Sequence, residues 1–120
     1  MHSIMVLDDD VQVREGLVYF FEDEGFSMVE AGSGEEALEK LKECSVDLVI
    51  VDLRLPGMNG TAFIGKAHEK WPEVKFIMYT GSLEFNIPDE LLSLGCVSSR
   101  LFHKPLVEPE LMIEEISRTM

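Results

Sequence analysis

The stretch Leu48 to Gly60, LVIVDLRLPGMNG, constrains the chain more than any other. Four apolar residues in a row, Leu48, Val49, Ile50 and Val51, lead straight to Asp52, and the turn formers Pro56, Gly57, Asn59 and Gly60 follow. Such a run reads as a strand buried on both faces with an acid at its carboxyl edge. A carboxylate there costs desolvation energy unless a cation, a metal or hydrogen-bond donors compensate it. The rest of the chain has to supply them.

Two kinds of segment alternate along the chain. Ile4 to Leu7 is a short apolar run stopping at Asp8, Asp9 and Asp10, after which Val13, Leu17, Phe20 and Phe21 recur at helical spacing. Gly25 closes that helix, Phe26 to Ala31 reads as a second strand, and Ser33 opens a helix with Glu35 and Glu36 in its first turn. After the central strand, Asn59 and Gly60 lead into a helix with Phe63, Ile64, Ala67 and Trp71 as one stripe and Pro72 as its stop. Lys75 to Thr80 is a fourth strand. Asn86 is expected to cap a short helix whose first turn holds Pro88, Asp89 and Glu90, with Gly95 ending it. Ser99 to His103 is a weaker fifth strand, and Leu111, Met112, Ile116 and Met120 mark a last amphipathic helix. Five strands alternating with five helices predict an α/β fold, a parallel sheet covered on both faces.

Ligands of such sheets bind beyond the carboxyl ends of the strands. Those ends carry Asp8 and Asp9, Asp52, Thr80 and Lys104, so three acids, a hydroxyl and an ammonium are expected to share one rim. Three neighbouring carboxylates repel unless a hard divalent cation or the lysine compensates them. Oxygen ligands without His or Cys favour Mg²⁺ over zinc. Taken singly, each residue has a plainer reading. Asp8 to Asp10 suit a helix cap, Thr80 a local turn, and Lys104 a solvated surface. Their joint occurrence at successive strand ends is what those readings do not explain.

Composition narrows the classes further. The 120 residues suit one domain over 1–120, and the net charge of −13 repels nucleic-acid phosphates, so no direct nucleic-acid binding is expected. Apolar runs are too short for a membrane span, and Met1 to Leu7 lacks the pattern of an export signal. A cytoplasmic location follows as the expectation. Cys44 and Cys96 have no metal-ligand spacing and suit a reducing compartment.

The set Asp8-Asp9, Asp52 within D-L-R-L-P-G-M-N-G, Thr80-Gly81 and Lys104-Pro105 resembles the receiver domain of two-component response regulators, over essentially the whole chain. The resemblance implies a doubly wound, flavodoxin-like five-stranded sheet in the order 2-1-3-4-5. It implies that Asp52 accepts a phosphoryl group from the phosphohistidine of a sensor histidine kinase or a phosphotransfer protein. Asp9, Asp52 and the backbone carbonyl of Arg54 would bind Mg²⁺, with Asp8 holding it through water. Thr80 would hydrogen-bond the phosphoryl group and Lys104 pair with it, and the signal would pass to a downstream effector domain or protein. By the same resemblance the chain is not an enzyme beyond its own phosphorylation and dephosphorylation.

The departures from that pattern gather near the fifth strand. Leu101 stands three residues before Lys104, where the family usually has Tyr or Phe, and Phe102 comes next. Phe102 would replace the missing ring only if the strand were shifted, and a one-residue slip turns a side chain to the other face. The connection from Gly95 to Lys104 is also longer than the family norm, so a weakened conformational readout with intact chemistry is expected. Two other classes fit the sequence less well. A phosphorylation-independent interaction module would be signalled by loss of one of the pocket residues, and none is lost. A haloacid-dehalogenase-like phosphatase or a flavodoxin would need a D-x-D-x-T pattern at Asp52 or a phosphate-cradling loop after Leu7, and neither is present.

Overall fold

The computed structural model describes residues 2–81, 86–104 and 109–120; Pro105 lies outside the described residues. The strands are β1 (Ser3–Leu7), β2 (Ser27–Ala31), β3 (Leu48–Asp52), β4 (Lys75–Thr80) and β5 (Phe102–His103). They alternate with α1 (Val11–Asp23), α2 (Gly34–Glu43), α3 (Gly60–Lys70), α4 (Asp89–Leu92) and α5 (Pro109–Thr119). All strand pairs are parallel, in the order β2-β1-β3-β4-β5. The expected architecture and strand order are therefore observed.

Side-chain alternation sorts the sheet into two cores. Ile4, Val6, Leu48, Ile50, Ile77 and Tyr79 face α1 and α5, where they meet Leu17, Phe21, Met112 and Ile116. Met5, Leu7, Val49, Val51, Phe76 and Met78 face the opposite way, against Ala37, Leu41, Phe63, Ile64 and Leu91. Every residue of β3 is buried, as its unbroken apolar run requires. Each such aliphatic side chain contributes about 2 kcal/mol of transfer free energy, which fixes the register of the central strands.

The helix starts follow the sequence signals. The Asp10 carboxylate accepts from the amides of Gln12 and Val13, Ser33 Oγ from Glu36, and Asn59 Oδ1 from Ala62, so α1, α2 and α3 have side-chain N-caps. Gly60 has a second reason to be glycine. A Cβ there would lie 2.7 Å from the Asp52 carbonyl oxygen and 3.0 Å from Leu53 Cα, backbone atoms that cannot give way cheaply.

Four expectations need correction. Helix α4 begins at Asp89 behind Pro88, without a side-chain cap, so Asn86 is not its cap; Pro88 takes the extended backbone before the first turn. The second strand starts at Ser27, because the Phe26 ring packs edge-on against Phe21 instead. Met120 is 38% exposed rather than part of the buried stripe of α5.

The fifth strand does not run from Ser99. Val97 bridges to Phe76, and pairing resumes only with Phe102 beside Tyr79. Three steps along β4 (76 to 79) are thus matched by five along the edge (97 to 102), and the two surplus residues loop out of the ladder. Ser98 Oγ ties this loop to α5 by donating to the buried Glu115 carboxylate at 2.7 Å, and the Arg100 amide donates to Ser98 Oγ at 3.1 Å. Leu101 consequently packs with the α2–α3 side and Phe102 with the α1–α5 side. Phe102 does not fill the place of the missing ring.

Candidate functional site

The carboxyl ends of β1, β3, β4 and β5 converge on one rim. Asp8, one residue past β1, has the same side-chain parity as Ile4 and Val6, and Asp52 has that of Leu48 and Ile50. Both acids therefore enter from the α1–α5 side, and both are buried. Lys104, two residues past Phe102, comes from the same side and places Nζ 2.9 Å from Oδ2 of Asp8 and 2.9 Å from Oδ2 of Asp52. Asp9 is exposed, yet it brings a carboxylate oxygen into a cluster with Asp8 and Asp52 in which all three ligand atoms lie within 4.8 Å of one another.

The remaining oxygens are accounted for by backbone donors. Asp52 Oδ1 accepts from the Arg54 amide at 3.1 Å, and Asp8 Oδ1 accepts from the Asp10 amide at 2.9 Å. Arg14 Nη1 donates to the Asp8 carbonyl at 2.7 Å while its Nε donates to Glu30 at 3.1 Å, which pins the end of β1 to α1 and β2. Thr80 is fully buried at the end of β4, beside His103 of β5, and its carbonyl accepts from the Lys104 amide at 2.8 Å. The structure thus brings Asp8, Asp9, Asp52 and Lys104 into direct proximity, sets Thr80 on the adjoining strand end, and places the Arg54 amide on Asp52 with the Arg54 side chain exposed.

Tyr79 lies within the stretch that reads as the fourth strand, and it joins the site as well. Its hydroxyl donates a hydrogen bond to Asp8 Oδ2, and Lys104 Nζ sits 4.8 Å from the centre of its ring. A buried Tyr hydroxyl needs a partner, but only the register and strand order identify Asp8 as that partner.

Burial and neighbours push the two buried acids apart. Desolvation alone would raise Asp8, but the Tyr79 hydroxyl, the Asp10 amide and Lys104 together hold it below the ordinary carboxylate range. Asp52 is raised, chiefly by burial and also by the Asp8 charge, and the Lys104 and Arg54 contacts offset this only in part. For Lys104, burial lowers the pKa but the bonds to Asp52 and Asp8 win, so it is raised and the ammonium stays charged. Burial, with the neighbouring Asp8 charge, likewise raises the Tyr79 phenol, which stays a donor.

An all-oxygen set with three carboxylates is a fit for a hard divalent cation, and the single ammonium cannot neutralise three negative charges. Comparison with known proteins agrees with this geometry. The sequence profile of the family described as "Response regulator receiver domain" matches residues 4–116. The chain belongs to the response regulator receiver domain family. The transcriptional regulatory protein FlgR of Helicobacter pylori is 35% identical to this receiver domain over 118 residues, covering 98% of the chain and 29% of FlgR. The chain spans about half or less of the length of the curated relatives it matches. Among solved structures, a CheY-like receiver domain from Methanospirillum hungatei superposes with a TM-score of 0.82 at 32% identity, covering 98% of this chain and 92% of that one. Response regulator TrrA from Thermotoga maritima, solved in complex with Mg²⁺-BeF, gives 0.85 at 28% identity with both chains fully covered. A receiver domain is a signalling module, and among the described residues no helix is long and apolar enough to cross a membrane.

Proposed function

We propose that residues 1–120 form one receiver domain in which Asp52 accepts a phosphoryl group. The observation that carries this is the Lys104 ammonium, held at 2.9 Å from both Asp8 and Asp52 beside a third carboxylate. Asp9, Asp52 and the Arg54 carbonyl would hold Mg²⁺, with Asp8 holding it through water, and the bound ion neutralises charge on the phosphoryl oxygens. The complex of TrrA with Mg²⁺-BeF supports that reading.

An Asp52 carboxylate oxygen attacks phosphorus in line with the leaving group. With phosphohistidine as donor, the P–N bond breaks, its electron pair goes to the imidazole nitrogen, and that nitrogen takes a proton from water. An acyl phosphate donor loses its carboxylate instead. Lys104 exchanges its contact with Asp52 for one with the incoming phosphoryl oxygens, and the Thr80 hydroxyl donates to another. At Gly81 a Cβ would meet nothing within 4 Å, which leaves the approach open to a donor or to water. Catalysis is limited to this self-modification and its reversal.

The phosphodonor is a sensor histidine kinase or a phosphotransfer protein in the cytoplasm, and the receiver is read by a downstream effector domain or protein. With Leu101 in place of an aromatic ring, the readout depends on the edge loop between Val97 and Phe102 rather than on a rotating ring. Incubation with Mg²⁺ and acetyl phosphate, followed by intact mass measurement, tests the proposal. One phosphoryl group should be added to the natural chain and none to Asp52→Asn or to a sample treated with EDTA. Equal incorporation in Asp52→Asn would overturn it.

A further inference from the structure

Tyr79 belongs to β4, and Asp8 follows β1; β3 lies between them. Two strand spacings, roughly 10 Å, separate the backbones, so a Ser or Thr at position 79 would fall short and a Phe would arrive without a donor. Only a long side chain with a terminal hydroxyl spans β3 and makes the bond that Tyr79 makes to Asp8 Oδ2.

Asp8 needs that donor for a specific reason. It is fully buried, and its Oδ2 otherwise relies on Lys104, which it shares with Asp52. A buried carboxylate deprived of one of its donors is costly. In the proposed reaction, Lys104 is drawn toward the phosphoryl group, so the ammonium is a movable partner. The Tyr79 ring is packed in the α1–α5 core with no exposed surface, which makes its hydroxyl a fixed one.

We infer that Tyr79 is a positioning residue: its hydroxyl, reaching across β3, fixes the Asp8 carboxylate for the divalent cation independently of where Lys104 sits. The inference rests on the reading of the acid cluster as a Mg²⁺ site. Outer partners of a metal site typically contribute about tenfold or more to metal affinity; Asp8, which holds the ion through water, is such a partner, and the Tyr79 hydroxyl fixes its orientation.

Titration calorimetry with Mg²⁺ alone, on the natural chain and on Tyr79→Phe, tests it. The variant keeps the ring and its place beneath Lys104, and thermal unfolding of both proteins checks that the fold is retained. Mg²⁺ affinity should fall about tenfold in Tyr79→Phe. A second readout is spectroscopic, and its first half uses the natural chain alone. Mg²⁺ should perturb the near-ultraviolet tyrosine spectrum of the natural chain, and that change should be missing from Tyr79→Phe, because Tyr19 is 71% exposed and contributes no buried signal. Unchanged or tighter Mg²⁺ binding in Tyr79→Phe, or a tyrosine spectrum indifferent to Mg²⁺ in a natural chain that binds the ion, would overturn the role of Tyr79 alone. Failure of the natural chain to bind Mg²⁺ would overturn the metal site and this inference with it.

Discussion

The acidic rim and the β5 edge lie at neighbouring places on one sheet and are built in opposite ways. At the rim, Asp8, Asp52 and Lys104 each have at least two polar partners, and they hang from strands whose apolar residues are wholly buried. At the edge, among the described residues, Phe102 and His103 pair with β4 and Val97 makes a single bridge to Phe76, and the loop between them is held by side-chain ties from Ser98 to Glu115 and from the Arg100 guanidinium over the Phe102 ring at 5.1 Å. The geometry of the chemistry is thus set by strand register, which is expensive to alter. The edge ahead of Phe102, where the proposed readout lies, is set by a few contacts of modest strength and should shift more easily than the rim.

Substitutions at the rim should break this contrast most visibly. Lys104→Ala leaves two buried acids facing each other and should destabilise the domain at neutral pH by about 3 kcal/mol in chemical denaturation. Part of that loss should return on acidification, as one acid of the pair takes up a proton. In the natural chain Lys104 is raised, so its contribution is present through neutral pH and is lost only as pH rises through its elevated pKa. Gly60→Ala, which drives a methyl group into the Asp52 backbone, should cost about 2 kcal/mol and lower the melting midpoint.

The two buried acids should respond with opposite signs. Asp8 is held below its ordinary pKa, so its ionised form stabilises the fold; that contribution is present above the unfolded pKa and lost as pH falls through the folded value. Asp8→Asn should therefore cost about 2 kcal/mol at neutral pH. Asp52 is raised, so its ionised form weakens the fold at neutral pH, and the penalty disappears as pH falls through its elevated pKa. Asp52→Asn should be neutral or stabilising by about 1 kcal/mol in the same assay. Equal losses in the two variants would contradict the assignment of Asp8 as the fixed acid and Asp52 as the strained one.

The smallest effect is expected at the edge. Ser98→Ala removes the hydroxyl that meets Glu115 and should cost about 1 kcal/mol while leaving the rate of modification by acetyl phosphate unchanged. A large change in that rate would show that edge and rim are coupled more tightly than their separate contacts suggest.

What could be read from the sequence divides along the same line. The apolar run of β3, the acids after β1 and the caps Asp10, Ser33 and Asn59 are local signals, and the strand-end rule assembled Asp8, Asp9, Asp52, Thr80 and Lys104 from them. Tyr79 was not legible, because a Tyr in an apolar run looks like core until the strand order shows that only β3 separates it from Asp8. The short fifth strand was not legible either. Val97 and Phe102 are both apolar, and nothing in their spacing reveals that two residues between them leave the ladder to meet Glu115 on α5.

The central claim is that folding gathers four strand ends into one phosphoryl-accepting pocket around Asp52. Backbone amide NMR spectra recorded with Mg²⁺ and beryllofluoride, a mimic of the phosphoryl group, test it directly. Saturable shifts are predicted at Asp8 to Asp10, Asp52 to Arg54, Thr80, Gly81 and Lys104, and the beryllofluoride-dependent part should vanish in Asp52→Asn. Shifts centred away from this rim, or the same beryllofluoride response in Asp52→Asn, would contradict the account.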